Sequence, residues 1–394
     1  MNTPNFIALP SPKRPPIFEQ AEELRFIFPL VENRSCVYAS LGQELNLMLS
    51  FIYPISVDLS SMNFTFFDRI IDTTMSVINW MKTTTIAVTA AILEMVIITW
   101  VAFYCFTKTL ILTLTPSAMR SQRNLRGKVV VLTGGAGGVG QELALRLARA
   151  DAKVVIWDVN EEAMQKVKQN IENEGHKVYY YTVDVTDRKN VYKNADLVKQ
   201  EVGVVDILIN NAGIVCGNTF LDIPDYMIEK TFEVNILSHY WTVKAFLPDM
   251  LRKGRGHIVT VSSLTGLLGT YKCTDYSATK HATLGFHESL QTELKTHGHR
   301  GINMTVVCPY FINTGMFTGC KPNMPMLEPR DVAKRIITAI RRKEEYVTMP
   351  GWARFVLPLK NFVPAKLSWA VTYRLIRGPQ SMMGMRTFQE TAAA

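Results

Sequence analysis

Cysteine is scarce in this 394-residue sequence, and the few that it has are scattered. The six cysteines are Cys36, Cys105, Cys216, Cys273, Cys308 and Cys320. They form no Cys-x-x-Cys pair, so neither a disulfide framework nor a zinc site is indicated, and reduced thiols in a cytosolic environment are expected. The seven histidines form no ligand cluster, because His281 and His287 do not follow the four-residue helical repeat. We therefore predict no metal site.

Three further signals are missing from the chain. The N-terminus shows no basic stretch followed by an apolar stretch and a small-residue cleavage site, so we expect no cleavable signal peptide. No unit of about 20 to 50 residues recurs, which excludes repeat architectures. The net charge of +9 suits nucleic acid or an anionic membrane surface. Because no nucleic-acid motif accompanies the charge, no nucleic-acid partner is predicted.

One long apolar stretch is present at residues 86–114, and it could cross about 30 Å of hydrocarbon. Its charged residues are Glu94 and Lys108. We predict a transmembrane or hairpin membrane anchor here, and a buried helix of a soluble core is the alternative. Residues 1–85 before it form an N-terminal extension of unknown fold.

A basic linker at residues 115–127 sets the expected orientation. Arg120, Arg123 and Arg126 follow the apolar stretch, so the positive-inside bias places the rest of the chain in the cytosol. The sequons at Asn33 and Asn63 would be glycosylated only if the N-terminus lay in the lumen.

Beyond the linker, short β-branched runs alternate with helical stretches. The runs are KVVVLT, KVVIWD, KVYYYTVDV, VDILINNAG, GHIVTVSS, INMTVVCP and EEYVTMP. Apolar strands separated by amphipathic helices indicate a parallel sheet covered on both faces. We predict an α/β fold with a doubly wound (Rossmann) seven-stranded parallel sheet at residues 128–350, preceded by the membrane-anchor helix.

The stretch TGGAGGVG, from Thr133 to Gly140, lies between the first strand and the helix that follows it. Glycines there allow a tight turn and let backbone N–H groups approach a pyrophosphate, although a merely flexible turn is the alternative. The second strand ends in Asp158, whose carboxylate can accept hydrogen bonds from ribose hydroxyls and would repel a 2′-phosphate. NAD is therefore predicted over NADP, with a helix-capping role for Asp158 as the alternative.

Tyr276 and Lys280 are four residues apart at the start of a helical pattern, which places them on one helix face. The ammonium, together with the positive charge of an oxidised nicotinamide, could stabilise a phenolate that accepts a hydroxyl proton. Taken alone, a Tyr-x-x-x-Lys spacing is more often a surface pair than a site.

With these motifs in place, the chain resembles the short-chain dehydrogenase/reductase family from about Lys128 to Pro350. The resemblance implies catalytic roles for Asn235, Ser263, Tyr276 and Lys280. It also implies a dinucleotide site formed by Thr133, Gly134, Gly138, Val139, Gly140, Asp158, Asp184, Asn211, Ala212, Gly213, Tyr276, Lys280, Pro309 and Thr314. In the implied mechanism Ser263 binds the substrate oxygen, Tyr276 exchanges the proton, Lys280 assists it, and Asn235 anchors a water. Ser263 is favoured over its neighbour Ser262 by its spacing from Tyr276.

One position departs from the family pattern. Pro309 is followed by Tyr310 where the family usually has glycine. This feature, the apolar anchor and the Trp-Asp end of the second strand resemble the membrane-bound branch that contains retinol dehydrogenase 10, epidermal retinol dehydrogenase 2 and 17β-hydroxysteroid dehydrogenase 11.

Two later segments bear on the substrate. Residues 315–327 occupy the position of the family's substrate loop, and their methionines and Phe317 suit an apolar ligand, although a structural loop is nearly as good an interpretation. Residues 351–394 mix aromatic and basic side chains, as in Trp369 and Lys366. That mixture suits either a membrane-associated segment on anionic lipid or packing against the core.

The sequence thus predicts a membrane-anchored oxidoreductase that uses NAD and a lipophilic alcohol such as retinol or a 17β-hydroxysteroid. Its expected location is the endoplasmic reticulum membrane or a lipid droplet, with the catalytic domain facing the cytosol. The alternatives are an NADPH-dependent reductase of a steroid ketone or 3-ketoacyl thioester, and a non-catalytic membrane-surface protein. A homodimer through the helices that carry Asn235 and Tyr276 is expected by family analogy only.

Overall fold

The computed structural model describes residues 64–114, 122–375 and 377–387. The chain divides into two compact units, residues 1–118 and 119–394. Most of the N-terminal extension, with both sequons, and part of the basic linker lie outside the described residues.

The described part of the first unit is one helix, α1, which runs from Phe64 to Leu114. It contains the predicted anchor but begins earlier in the chain. Its section Asp72–Tyr104 has the length and composition of a membrane span. The mean hydropathy there is 2.2, and the apolar side chains are exposed rather than buried. Hydroxyls along this helix, such as those of Thr89 and Thr99, donate to carbonyl groups one turn earlier at 2.9 and 2.8 Å. Their hydrogen bonding is therefore satisfied without water.

The second unit is built on a seven-stranded parallel sheet in the order β3-β2-β1-β4-β5-β6-β7. The strands are β1 Val129–Thr133, β2 Lys153–Asp158, β3 Val178–Thr182, β4 Ile207–Asn210, β5 Gly256–Val261, β6 Ile302–Pro309 and β7 Tyr346–Met349. Each corresponds to one of the predicted runs, so the doubly wound α/β prediction is confirmed.

Helices cover both faces of the sheet. In chain order they are α2 Gly138–Ala148, α3 Glu161–Asn173, α4 Arg188–Glu201, α5 Asp225–Phe232, α6 Ser238–Arg252, α7 Thr274–Thr296, α8 Pro329–Arg342, α9 Ala353–Val356, α10 Ala365–Ala370 and α11 Gly378–Met382. A π-helical turn, Glu233–Leu237, joins α5 to α6.

The core follows from the two-residue repeat of the strands. Val130 and Leu132 of β1 pack with the apolar sides of α2, α3 and α8. Val129 and Val131 point to the other face and pack with α4, α6 and α7. Because the strand order reverses between β1 and β4, the carboxyl ends of these strands leave a crevice for a ligand.

Candidate active site

The glycine-rich loop closes the gap between β1 and α2. A Cβ built at Gly140 would lie 2.0 Å from the carbonyl oxygen of Gly134, and one built at Gly134 would lie 2.8 Å from the Cα of Ala212. Gly134 also has a left-handed φ of +63°. No larger residue allows so tight a turn.

The N-cap of α2 is Gly137, which provides no side-chain cap. The first-turn N–H groups can therefore meet an anion, which fits the pyrophosphate of a dinucleotide.

Hydrogen bonds join the loop to the end of β4. The Thr133 hydroxyl accepts the N–H groups of Asn211 and Ala212, both at 3.1 Å. The Asn211 amide donates to the carbonyl groups of Thr133 and Gly134 at 3.1 and 2.9 Å. These bonds hold the two sides of the crevice together. Thr133 therefore supports the site from beneath and does not line the cavity.

Asp158 lies at the end of β2, on the wall of the cavity. Its Oδ2 accepts the N–H of Ala136 at 3.0 Å, and its Oδ1 accepts the N–H of Asn160 at 3.1 Å. These bonds fix the carboxylate beside the glycine-rich loop. This is where the adenosine ribose of a dinucleotide would lie in this fold.

Asp184, the other predicted acid, follows β3 and is not among the lining residues of this cavity. Its Oδ1 accepts the N–H and the hydroxyl of Thr186 at 2.9 and 2.7 Å, and Lys230 Nζ lies 3.7 Å from Oδ2. Burial acts to raise the pKa of Asp184, but the Thr186 hydrogen bonds and the Lys230 charge bring that pKa below its ordinary value. Its adenine contact stays a prediction.

Tyr276 and Lys280 lie on the first turns of α7, and both are buried. The Lys280 ammonium is 5.5 Å from the centre of the Tyr276 ring. It also donates to the carbonyl group of Val261 at the end of β5, at 3.0 Å. The two side chains therefore point into the same crevice, as their spacing predicted.

The lysine does not by itself lower the pKa of the phenol. Burial raises the pKa of Tyr276 above its ordinary value, and the hydrogen bond with Ser263 opposes that rise. Burial also lowers the pKa of Lys280 to about 8. Both effects have one cause, because dry surroundings disfavour the charged form of either group. A phenolate here needs a further positive charge beside it.

The structure separates the two adjacent serines. The Ser263 hydroxyl accepts the N–H of Thr265 at 3.1 Å and donates to the carbonyl group of Pro309 at 3.5 Å. It also lies near enough to the Tyr276 phenol to oppose the rise in the pKa of that group. The Ser262 hydroxyl instead donates to the carbonyl group of Lys280 at 3.0 Å. Ser263 is therefore the serine that is placed to bind a substrate oxygen next to the phenol.

Asn235 lies in the π-helical turn and is fully buried. Its amide forms a reciprocal pair with the backbone of Ile214, accepting at 2.8 Å and donating at 2.9 Å, and also donates to the Thr279 hydroxyl at 3.1 Å. The asparagine thus joins the chain after β4 to α7 just behind the cavity. A π-helical turn often marks a functional site, because it displaces carbonyl groups from the regular helix.

The loop after β6 completes the crevice. Pro309 ends β6, and Thr314 comes so close to the glycine-rich loop that a Cβ at Gly138 would be 3.0 Å from its Cγ2. Among the described residues, the non-glycine residues with positive φ are Asp151, Lys272, Lys343 and Arg377. The backbone at Tyr310 therefore accepts a side chain without strain, although the family usually has glycine at this position.

These elements enclose a cavity of about 580 Å³, within the range of ligand sites. The predicted residues that line it are Gly134, Gly138, Val139, Asp158, Asn211, Ala212, Gly213, Ser263, Tyr276, Lys280, Pro309 and Thr314. Gly140 and Asn235 do not line the cavity, but they contact the backbone of residues beside it. Their roles in binding and catalysis stay predictions.

Part of the lining was missed by the sequence analysis. Trp352, Val356, Leu357, Gly378 and Ser381 from the C-terminal segment also line the cavity. This segment returns over the substrate side, where the N–H of Lys321 donates to the carbonyl group of Ser381 at 2.8 Å. Aromatic and basic composition gave no signal for such a return, because the contacts depend on tertiary structure alone.

Comparisons with known proteins agree with this geometry. A family model described as short chain dehydrogenase matches residues 128–324. Epidermal retinol dehydrogenase 2 of Mus musculus is 45% identical over 252 residues, covering 63% of this chain and 82% of that protein. Retinol dehydrogenase 10-A of Danio rerio is 39% identical over 272 residues, covering 62% and 80%. A crystal structure of a short chain dehydrogenase/reductase from Burkholderia phymatum in complex with NAD superposes with a TM-score of 0.56 and 26% identity, covering 61% of this chain and 94% of that one.

Proposed function

Because this chain belongs to the short-chain dehydrogenase family, in its retinol dehydrogenase branch, we propose that it oxidises a lipophilic, retinol-like alcohol with NAD as hydride acceptor. The observation that carries the proposal is the convergence of Ser263, Tyr276 and Lys280 on one cavity beside the glycine-rich loop. The substrate side of that cavity is apolar, with Phe311 and Phe317 packed edge to face at 5.0 Å. A 17β-hydroxysteroid is the second candidate substrate.

The chain's own residues supply binding and proton transfer. Ser263 would hold the substrate oxygen beside the phenol of Tyr276, which would take the hydroxyl proton during oxidation or give it back during reduction. Lys280 would bind the nicotinamide ribose and, together with the charge of the bound dinucleotide, would favour the phenolate. When bound, the oxidised dinucleotide accepts the hydride and adds a positive charge near the phenol, which opposes the effect of burial.

Asp158 supports the choice of NAD. Its carboxylate is fixed at the glycine-rich loop by two backbone N–H groups. A 2′-phosphate placed there would meet a negative charge of fixed position. We expect Asp158→Asn, which keeps the shape, to narrow the preference for NAD over NADP by about tenfold or more. Titration of both dinucleotides against both proteins measures this, and equal NAD and NADP affinities of the unmodified protein would contradict it.

Membrane anchoring is part of the proposal. Helix α1 has a span-length apolar section whose side chains are exposed. In the second unit, Phe362 is 85% exposed and Trp369 is 64% exposed, and basic residues such as Arg354 accompany them. We propose an anchor in the endoplasmic reticulum membrane or at a lipid droplet, with the catalytic unit in the cytosol. Protease treatment of intact microsomes should then digest the catalytic unit; its full protection would contradict this orientation.

An activity screen in detergent or liposomes tests the reaction. Retinoids, 17β-hydroxysteroids and fatty alcohols are offered with NAD and with NADP, to the unmodified protein and to Tyr276→Phe. We expect NAD-linked oxidation of a lipid alcohol that Tyr276→Phe abolishes. Turnover of small soluble alcohols alone would overturn the substrate class. Dinucleotide binding with no turnover of any substrate by the unmodified protein would favour a non-catalytic surface protein instead.

A homodimer through α6 and α7 is also proposed by family analogy. Sedimentation of the detergent-solubilised protein measures it, and a monomer at working concentration would contradict it.

A further inference from the structure

A second cavity, of about 550 Å³, lies beside the first in the catalytic unit. The loop 268–271, which follows the turn at Ser263, forms one side, and residues 360–372 with Gly378 and Pro379 form the other. Leu268, Thr270 and Gly378 line both cavities. The two spaces therefore share one wall, close to the candidate catalytic residues.

Two polar side chains that line the second cavity already have partners within the protein. The Thr372 hydroxyl donates to the carbonyl group of Ser368 at 3.0 Å, and the Lys360 ammonium donates to the carbonyl group of Leu267. The apolar part of the lining comes from Leu268, Val363, Ala365 and Trp369. Because Lys360, the charged residue of this lining, is already paired and apolar side chains form much of the rest, the surface suits an uncharged hydrocarbon group rather than an ion.

The first cavity has to hold both the dinucleotide and the reacting end of the substrate. Its lining extends from Asp158 and the glycine-rich loop to Tyr276 and Trp352. A dinucleotide that lies along the glycine-rich loop would take much of its volume of about 580 Å³. A substrate whose hydroxyl reaches Ser263 then has room beside the loop 268–271, in the direction of the second cavity.

We propose that the second cavity binds the hydrocarbon tail of the alcohol whose hydroxyl group reaches Ser263 and Tyr276. The protein would thereby select elongated, uncharged lipid alcohols over compact ones. The inference rests on the proposed function for the reacting end of the substrate. It adds a separate site for the tail, formed by the C-terminal segment.

Gly378 is the position at which the shared wall can be altered. A Cβ built there would lie 3.7 Å from Thr372 Cγ2, an ordinary contact, so the backbone accepts a side chain. The outer atoms of a leucine would then take up space at the wall that the two cavities share. Gly351 offers a matched control, because a Cβ there meets nothing within 4 Å and the residue lines neither cavity.

Geraniol, farnesol and geranylgeraniol, which lengthen by one isoprene unit at a time, test the proposal in the full-length protein with NAD. We expect kcat/KM to rise severalfold with each unit. Gly378→Leu should lower the ratio of kcat/KM for the longest and shortest alcohols about tenfold, whereas Gly351→Leu should leave that ratio unchanged. Leu268→Ala, which removes side-chain atoms from the shared wall, should not lower the ratio. No dependence on length, or a ratio that Gly378→Leu leaves unchanged, would overturn the proposal.

A binding measurement keeps this test separate from the proposed reaction. A bromine-labelled fatty alcohol bound in the second cavity should quench Trp369 fluorescence, and Trp369→Phe gives the background. If no alcohol is oxidised but the quench occurs and Gly378→Leu abolishes it, the tail site stands and the proposed reaction fails. If alcohols are oxidised and no quench from Trp369 is detected, the reaction stands and the tail site fails.

Discussion

At the residue scale, burial sets the protonation of the candidate catalytic pair and of several histidines around it. Burial lowers the pKa of Lys280 to about 8. An unfolded lysine keeps its proton to about pH 10.4, so between these values the unfolded chain binds more protons and stability rises with pH. Below pH 8 the folded protein holds a buried charge at a cost. At neutral pH, Lys280 in the candidate site therefore lowers the free energy of unfolding.

Lys280→Met should remove this cost along with the activity. We expect turnover to be lost and the free energy of unfolding at pH 7 to rise by on the order of 1 to 3 kcal/mol. The gain should shrink as the pH approaches 10, because the unmodified lysine is then neutral in the folded state. Urea denaturation at both pH values measures it, with exposed Lys166→Met as control. A less stable variant at pH 7 would contradict the argument.

Burial of His239 should make the stability of the folded protein sensitive to acid. Burial, followed by the nearby Lys280 charge, lowers its pKa to about 3, and neither ring nitrogen has a partner among the described residues. Since an unfolded histidine gains its proton below about pH 6.5, stability should fall as the pH drops from there toward 3. We expect His239→Phe to make that fall shallower by up to about 1.4 kcal/mol per pH unit. Equal slopes in denaturation at pH 4 to 7 would contradict this.

At the scale of elements, the loop between β1 and α2 depends on close backbone contacts. Gly140→Ala would place a methyl group 2.0 Å from the Gly134 carbonyl oxygen. The turn must then open, so we expect dinucleotide affinity to fall at least about tenfold while the sheet still folds. Calorimetric titration measures the affinity, and circular dichroism checks the fold. Gly285→Ala is the control, because its Cβ meets nothing within 4 Å. Unchanged NAD affinity in Gly140→Ala would show that the turn is not needed.

The strands and helices that could be predicted were those marked by a pattern within their own stretch of sequence. Runs such as VVVLT are apolar on both faces, so each strand could be located before its partners were known. The positions of Thr133, Ser263 and Lys280 followed from motif spacing. The return of the C-terminal segment over the cavity did not, because its contacts with residues such as Lys321 arise only in the folded chain. The rise in the pKa of Tyr276 was also missed, since burial is a tertiary property.

At the scale of the whole molecule, each of the two units has its own apolar surface. We expect removal of residues 1–118 to weaken binding to anionic liposomes without abolishing it, because Phe362 and Trp369 remain exposed. Adding Phe362→Ser and Trp369→Ser should release the protein fully. Flotation with liposomes measures both, and dinucleotide binding confirms the fold. Complete release by the truncation alone would show that the C-terminal surface has no membrane role.

The last described residues have a consequence for premature termination of the chain. The N–H of Arg386 donates to the carbonyl group of Thr318 at 2.9 Å, and Lys272 donates to the carbonyl group of Met385 at 3.1 Å. A stop codon after residue 376 would delete these contacts but leave the sheet and the glycine-rich loop complete. We expect such a shortened protein still to bind a dinucleotide but to turn over the proposed alcohol substrate poorly. An allele of this kind would resemble a catalytic mutation, although every candidate catalytic side chain is present.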